Sequence, residues 1–570
     1  MSGPHAYTVN FRFLRPPKPI SLYALRRRIT SLPLYTIRRE EALSNRIKFF
    51  FIKDITLYSI INKDTMTSLH LPKKIPLHHP KYLFFIVILI TGAFLRLILL
   101  PNMEWFGDPA RDILVAQHIL RYGEIPNIGH VASGTNPIFY YPPLYFYILA
   151  ILQIPSTNIW YIGSTMVLFN VLSIVVIFFL TKRLSDTLSA FIATTFYTYS
   201  PYILQNQSSI TAYRFDLPIF LLGTYLHITG IQKKQPIVLF LSLFFLAIAS
   251  SINYAVLILM PIFILWIIIY FHKHIDLILS ILLYTYTLFI IIFYGFAKHT
   301  ITLYGWTSFI APFLPTNYIQ IVDPIHTFIN HCILFLTNVF PEQAFVSLIL
   351  ILFLLCINII WKRQRIVSLL YPLSFIMITI VLSALKKQPV MSYFYYSVTP
   401  FLFILLGMCS TVKKPYGATI ISGIIILFLG WYALSPGDIS IQPNLSYQKT
   451  EYAVDAIIAE IKKIKIQEQY PDILFWRLRV IDIYTNEWQM SAYAYFLEKK
   501  LGRLLKINDH YHNLAWIGTT DYLVIVCQAD ENTTTSWCHK HIIAEYPQAI
   551  LIKQIITPLQ YPVFLYRTKQ

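Results

Sequence analysis

Charged residues are scarce in this sequence. Asp, Glu, Lys and Arg make up 13% of its 570 residues, whereas apolar residues make up 56% and aromatic residues 16%. Soluble globular domains carry about 25% charged residues, so the composition lies outside the soluble norm, and the mean hydropathy of +0.56 agrees. The fold class predicted is an α-helical polytopic membrane protein.

The sequence also has few cysteines and no phosphate-binding loop. Five cysteines are too few for a disulfide scaffold. Cys527 and Cys538 lie close together in a polar segment, where a disulfide and two free thiols are both compatible with the sequence. No glycine-rich phosphate loop, Walker-type motif or repeat of 20 to 50 residues is present, so nothing in the chain indicates a nucleotide site or a repeat architecture.

The net charge of +19 is not spread evenly. Residues 1–78 hold 14 Lys or Arg and 4 acids, residues 79–436 hold 18 and 9, and residues 437–570 hold 14 and 14. Basic residues beside membrane segments set topology and attract anionic headgroups, so the excess predicts no nucleic-acid partner. Residues 1–78 are interpreted as a disordered cytoplasmic tail without a signal peptide, and Met66 as a plausible true start.

Apolar runs long enough to cross a bilayer recur along the chain, and a crossing helix needs about 20 such residues. Lys and Arg follow every second run, which predicts a cytoplasmic N-terminus and an outer C-terminus. Eleven crossings are predicted at 82–101, 158–181, 187–205, 213–231, 236–251, 253–271, 275–296, 342–361, 366–385, 392–411 and 416–435.

Three long segments then fall on the outer face: 102–157, 297–341 and the terminal segment. Residues 437–570 are predicted to form a small soluble α/β domain. The segments "YAVDAIIAEIKKI" and "EWQMSAYAYFLEKKLGRLL" have helical apolar spacing, while "DYLVIVCQ", "AILIKQII" and "PVFLYR" are short β-rich runs. Function is expected in the outer loops.

The first outer loop is charged. In "GDPARDILVAQHILRYG", apolar residues have helical spacing, so Asp108 and Asp112 are predicted to share one face of a short interfacial helix. Paired acids there can act as general bases or hold a divalent cation such as Mg²⁺ or Mn²⁺. Helix capping by Asp108, with Arg111 pairing outward, explains the same pattern.

A tyrosine- and proline-marked segment follows the acidic helix. "NPIFYYPPLYFYILAILQIP" is too short and interrupted for a crossing and is predicted to lie at the interface, with Tyr140 and Tyr141 among its aromatic residues. The two interfacial helices would wall a cavity at the outer membrane surface. Such a cavity suits a substrate with a lipid tail and a polar head.

Together these motifs resemble the C-type membrane glycosyltransferases, nearest to the branch of protein O-mannosyltransferases and aminoarabinose transferases. In that branch the first loop has an Asp-Glu pair followed by Arg. "GDPAR" matches with Asp108 and Arg111, and Pro109 replaces Glu. The resemblance, over about residues 80–435, implies that Asp108 is the catalytic base or its close support, with Asp112, one turn away, as the catalytic candidate that substitutes for the missing Glu.

A second match is "TAYRFDLPIFLL", similar to the acid-Pro element that opens the fourth crossing of the family and places Asp216 at the acidic position. A dipole-compensating helix N-terminal acid has the same pattern. Tyr141 replaces a lysine found in the aminoarabinose transferases, so the phosphate-binding role of that lysine is not carried over.

The reaction implied is sugar transfer from a polyprenyl-phosphate donor to a protein, lipid or glycan acceptor on the outer face, in a membrane interpreted as the plasma membrane of a prokaryote. Cations would hold the departing phosphate. Outward snorkelling of Arg96 and simple headgroup contact of Lys386 and Lys387 are the alternatives. The candidate cations are Arg96, Arg111, Arg214, Lys298, Lys386 and Lys387.

Two other classes of function remain compatible with the sequence. A polytopic transporter or lipid flippase would be favoured by charges at mid-membrane or by paired halves with broken helices, and neither is evident. A non-catalytic envelope assembly protein would tolerate neutralisation of Asp108, whereas an enzyme would not.

Overall fold

The fold is seen in a computed structural model, and the part of it that we describe belongs to one compact unit, Pro80–Gln570. The described residues are 80–103, 108–123, 126, 142–207, 210–271, 324–340, 347, 351, 366–385, 392–409, 446–464, 473–479, 495–497, 499–500, 506–508, 522–528, 550–556 and 562–567.

Most of the described residues are helical. The helices are α1 Pro80–Ile98, α2 Asp108–Tyr122, α3 Leu144–Gln153, α4 Ile159–Leu184, α5 Thr187–Tyr199, α6 Pro201–Gln207, α7 Ala212–Lys233, α8 Pro236–Ile252, α9 Tyr254–Phe271, α10 Pro324–Val339, α11 Ile366–Leu385, α12 Ser392–Cys409 and α13 Ser446–Ile464. Predicted crossings 275–296, 342–361 and 416–435 lie wholly or mostly outside the described residues.

Among the described helices, α4 alone is both long and apolar enough to cross a membrane by length and composition. Several others are apolar over shorter lengths, including α8 and parts of α1, α9, α11 and α12. The number of crossings therefore stays a prediction.

The third predicted crossing is broken in the structure, so its continuous span of 187–205 was wrong. Helix α5 ends at Tyr199, and α6 begins at Pro201. Ser200 is extended, with φ −62° and ψ 120°, because the ring of a following proline disfavours helical backbone in the preceding residue. In the predicted outer loop 297–341, α10 occupies residues to which the sequence pattern assigned no helix.

Helices α7 and α8 form a close antiparallel hairpin. Lys234 adopts a left-handed conformation at the end of α7, and Pro236 opens α8. Gly230 lets the helices approach, since a Cβ there would lie 2.7 Å from Leu239 Cγ. Ser242 Oγ donates to the Gly223 carbonyl at 2.7 Å. This hairpin fixes the start of α7, which carries Arg214 and Asp216.

Two apolar clusters fill the fold. The bundle core joins α1 and α4–α12. The second cluster, which we call the outer cluster because α2 and α3 belong to the predicted outer loop, joins residues just after α1, helices α2 and α3, the start of α4, the start of α7, the end of α8, α13 and residues 495–497. The predicted interfacial helices are thus both present, as α2 and α3.

A mixed five-stranded sheet lies in the terminal segment. Its order is β2-β1-β3-β5-β4, with β1 parallel to β2 and β3, and β5 antiparallel to β3 and β4. Three strands and α13 were predicted, whereas β1 and β2 were not. The strands are β1 Ile473–Arg479, β2 Lys506–Asn508, β3 Tyr522–Gln528, β4 Ile550–Ile556 and β5 Pro562–Arg567.

Candidate functional site

The first acidic element of the site lies on α2. Asp108 is the first residue of this helix, and its side chain is outside the described part of the structure. Asp112, one turn further, is fully buried. The Arg111 guanidinium binds one Asp112 oxygen, with Nη2 at 2.7 Å and Nε at 2.9 Å from Oδ1. Arg111 therefore pairs with its neighbour and does not point outward.

Contacts with α3 hold α2 in place, and a glycine ends the helix. Gln153 Nε2 on α3 donates to the Ile113 carbonyl at 3.3 Å, and Tyr147 Oη donates to the Pro126 carbonyl at 2.6 Å. Gly123 follows α2 with φ +67°, the left-handed position that favours glycine at a helix end. The packing carries Ile113 and Leu114 into the outer cluster.

Arg96, in the last turn of α1, is fully buried and hydrogen-bonded on the inside of the bundle. Its Nε donates to Gln207 Oε1, and its Nη1 donates to the carbonyls of Gly92 at 3.0 Å and Thr198 at 3.3 Å. Its Nη2 has no hydrogen-bond partner in the described part of the chain. Outward snorkelling of Arg96 is thus wrong, because the helix breaks near Ser200 and brings carbonyl acceptors inward.

Arg96 belongs to what we call the arginine–tyrosine cluster, which also contains Tyr197, Gln207, Tyr396 and Arg214. The Arg96 guanidinium lies 5.7 Å from the centre of the Tyr197 ring. Gln207 Nε2 donates to Tyr197 Oη at 2.7 Å. Tyr396 interacts electrostatically with both arginines. The cluster therefore joins the ends of α1, α5 and α6 to the starts of α7 and α12.

Asp216 lies two residues beyond Arg214 and is fully buried. Asn253, between α8 and α9, donates from Nδ2 to Asp216 Oδ2 at 3.2 Å. Oδ1 has no hydrogen-bond partner among the described residues. A buried carboxylate oxygen without a donor is costly unless a ligand or proton occupies it.

Five predicted substrate-binding residues lie outside the described residues: Tyr140, Tyr141, Lys298, Lys386 and Lys387. Cys538 also lies outside them, so its pairing with Cys527 is untested. No group of three or more His, Cys, Asp or Glu side chains converges within the described residues. The metal site that the sequence left open, with Asp108 and Asp112 as its candidates, therefore stays a prediction.

Sequence reasoning missed Tyr197, Gln207, Tyr396 and Asn253. One signal was available, since "YSPYILQNQ" places a proline and several polar residues where the apolar run should continue outward. Tyr396 and Asn253 had no such signal, because their contacts come from residues more than 30 positions away in the chain.

Among the solved structures that this chain is similar to are C-type glycosyltransferases, the group that its motifs resemble. A zinc- and sulfate-bound oligosaccharyltransferase of Archaeoglobus fulgidus is 12% identical, with a TM-score of 0.48 over 84% of this chain and 73% of that chain. ArnT of Cupriavidus metallidurans bound to undecaprenyl phosphate is 11% identical, with a TM-score of 0.45 over 85% and 97%.

The arabinofuranosyltransferase AftD from Mycobacteria is 12% identical, with a TM-score of 0.44 over 85% of this chain and 40% of that chain. Another structure of the Archaeoglobus enzyme holds a dolichol-phosphate and an inhibitory peptide. No family model and no curated protein matches the chain. At these identities and TM-scores, no residue role is carried over to this chain.

Proposed function

We propose that this protein is a membrane glycosyltransferase that moves a sugar from a polyprenyl-phosphate carrier to a protein, lipid or glycan acceptor. The proposed site is the outer end of the helical bundle, where the arginine–tyrosine cluster and Asp216 lie near the start of α7. Asp108 and Asp112 on α2 complete the acidic side. Tyr140, Tyr141, Lys386 and Lys387 stay candidates for substrate contact.

Arg96 is the observation that carries this proposal. It is fully buried, its Nη2 lacks a hydrogen-bond partner, and no carboxylate pairs with it in the described part of the chain. Its neighbours Gln207 and Tyr197 are polar and uncharged. A buried charge in a membrane protein costs several kcal/mol unless it is compensated. An anion that enters from the membrane, such as a lipid phosphate, would supply that compensation.

The chemistry follows from cations and acids in one region. The acceptor oxygen attacks the anomeric carbon and forms the new glycosidic bond, while the bond from that carbon to the phosphate oxygen breaks. A carboxylate takes the acceptor proton, and the lipid phosphate leaves as an anion held by Arg96 and Arg214. The resemblance implies inversion at the anomeric carbon.

Asp108 is the proposed base, as the motif "GDPAR" suggests, with Asp216 as the second candidate. Asp112 is proposed as a support, because its charge is already balanced by Arg111 at 2.7 Å. A divalent cation such as Mg²⁺ or Mn²⁺ stays a candidate cofactor, and the steps given above are assigned to side chains of this chain alone.

The finer architecture belongs to the same proposal. Eleven crossings, a tail over 1–78, a membrane domain over 79–436 and an outer α/β domain over 437–570 would place the site on the outer face of a prokaryotic plasma membrane. The mixed sheet of five strands is consistent with the terminal domain.

Sugar transfer by purified protein from a panel of polyprenyl-phosphate sugars tests the proposal. Asp108→Asn, compared with wild type at matched folding, is expected to lower transfer by about 100-fold or more, the scale of general base catalysis. Full transfer by the variant would move the chemistry to Asp216 or Asp112. No transfer by wild type from any donor would favour the transporter or assembly function.

A further inference from the structure

The terminal segment contributes side chains to the outer cluster that holds α2. Ala453, Val454 and Ile457 on α13 are completely buried there, as are the neighbouring residues Tyr495, Phe496 and Leu497. On α2, the same cluster contains Ala110, Ile113, Leu114 and Ala116. The terminal segment is thus packed with the helix that begins at Asp108.

Two polar side chains lie within this apolar packing. Tyr495 is completely buried, and Gln117 on α2 is 1% exposed. Burial raises the pKa of Tyr495 to about 12, while Gln117 and the charge of Arg121 act in the opposite direction. The phenol is therefore neutral at physiological pH, and two residues of α2 lie close enough to act on it.

The side chains involved have the spacing of a single helix surface. Asp108, Asp112 and Ala116 are four residues apart, as are Ile113 and Gln117, so each set follows one side of α2. Asp112 is itself buried beside these positions. A rotation or shift of α2 within the outer cluster would move both carboxylates, and a misplacement of about 1 Å can cost about 100-fold in rate.

We infer that Tyr495 is a positioning residue for α2: the terminal segment sets the orientation of Asp108 and Asp112 through the packing of Tyr495 in the outer cluster. This inference rests on the proposed function, because the orientation matters for rate only if α2 carries acids that act in the transfer. Tyr495 touches neither substrate nor reacting atoms in this account. It acts through the helix.

The experiment compares Tyr495→Ala, Tyr495→Phe and wild type in the full chain. The first readout is amide hydrogen exchange over residues 108–122 without substrate. Tyr495→Ala is expected to speed exchange in α2 by about tenfold, because it leaves a cavity in the outer cluster. Tyr495→Phe keeps the ring and is expected to give a smaller increase.

The second readout is the steady-state kinetics of sugar transfer. Tyr495→Ala is expected to lower kcat by about tenfold or more with KM for the lipid donor within about twofold, since donor binding is assigned to the arginine–tyrosine cluster. Tyr495→Phe is expected to restore most of kcat. Lys500→Ala, which removes an exposed ion pair with Asp455, is the matched control and is expected to change neither readout.

Unchanged exchange in α2 of folded Tyr495→Ala would overturn the inference, and so would a variant in which KM rises while kcat stays. If neither Tyr495 variant folds, Gln117→Leu changes the same packing from the side of α2. Normal exchange and normal kcat in Gln117→Leu would then contradict the inference. If the wild type transfers no sugar but exchange in α2 is faster in Tyr495→Ala, the proposed function is contradicted. The packing role of Tyr495 is then still supported.

Discussion

The two buried carboxylates that the structure describes differ in what surrounds them. The Asp112 carboxylate receives two contacts from a guanidinium, at 2.7 and 2.9 Å. The Asp216 carboxylate accepts one hydrogen bond, from Asn253 Nδ2 to Oδ2 at 3.2 Å, and its Oδ1 has no hydrogen-bond partner among the described residues. An arginine keeps a carboxylate ionised and occupied, whereas a neutral amide leaves it free to take a proton or to meet a ligand.

This difference teaches that burial alone does not identify a reactive acid. On α2, Arg111 pairs with the adjacent residue, Asp112. At the start of α7, Arg214 lies two residues from Asp216 and interacts electrostatically with Tyr396 of α12. Charge is therefore balanced within α2, while Asp216 at the start of α7 keeps one oxygen without a hydrogen-bond partner among the described residues.

Of the two buried carboxylates compared above, Asp216 is expected to give the larger effect when it is replaced by Asn. The substitution should lower kcat/KM for sugar transfer by about 100-fold or more if Asp216 exchanges a proton in the reaction. Asp186→Asn is a suitable control, because Asp186 caps α5 with Oδ1 accepting from Ser189 N at 2.8 Å, far along the helix from Tyr197. Equal losses in both variants would show a general folding defect.

A smaller effect is expected from Asp112→Asn, about tenfold in transfer together with a lower melting temperature. The amide keeps one hydrogen bond to Arg111 but leaves its charge without a counter-ion in a largely buried position. Transfer and thermal unfolding would be measured in the same detergent. If Asp112→Asn lost more transfer than Asp216→Asn, the contrast between the two acids would be reversed.

Asn253→Ala should lower transfer by about 3- to 10-fold, because it removes a hydrogen bond of about 0.5–1.5 kcal/mol that orients Asp216. Asn253→Asp should be worse, since a second carboxylate would then face Asp216. Steady-state transfer at several pH values would check both variants. An Asn253→Ala protein with wild-type kinetics would show that Asp216 needs no orientation.

The smallest effect is expected when both members of the ion pair on α2 are replaced. The double variant Arg111→Gln, Asp112→Asn leaves neither buried charge unpaired, so transfer should fall by about threefold or less, milder than Asp112→Asn alone. Unfolding and transfer of the two variants, measured together, give this comparison. A double variant as impaired as the sum of its parts would mean that the two residues act independently.

Much of the helical architecture could be predicted from the sequence, since apolar runs and charged connections mark where helices begin and end. The interfacial helices α2 and α3 followed from the spacing in "ARDILVAQHILRYG" and the prolines before Leu144. The break at Ser200 could also be derived from Pro201. Strands β1 and β2 could not, because β1 contains Arg477 and Arg479 and β2 has three residues.

The site was only partly predictable. Asp108, Arg96, Arg214 and Asp216 stand out as charges in an apolar chain. Their partners are neutral residues such as Gln207, Tyr396 and Asn253, whose types are common and whose positions near a charge depend on how helices pack. The direction of Arg96, inward to Gln207 instead of outward to lipid, depends on the local break in α5 and α6.

Binding of sugar-free polyprenyl phosphate to the protein in lipid nanodiscs tests the central claim most directly. Arg96→Met is expected to weaken binding by about 10- to 100-fold, the equivalent of one charged hydrogen bond of about 1.5–3 kcal/mol. Arg96→Lys should retain part of the affinity. The control is Lys182→Gln, in the last turn of α4, which should retain all of it. Equal affinity of wild type and Arg96→Met would contradict a phosphate site at the outer end of the bundle.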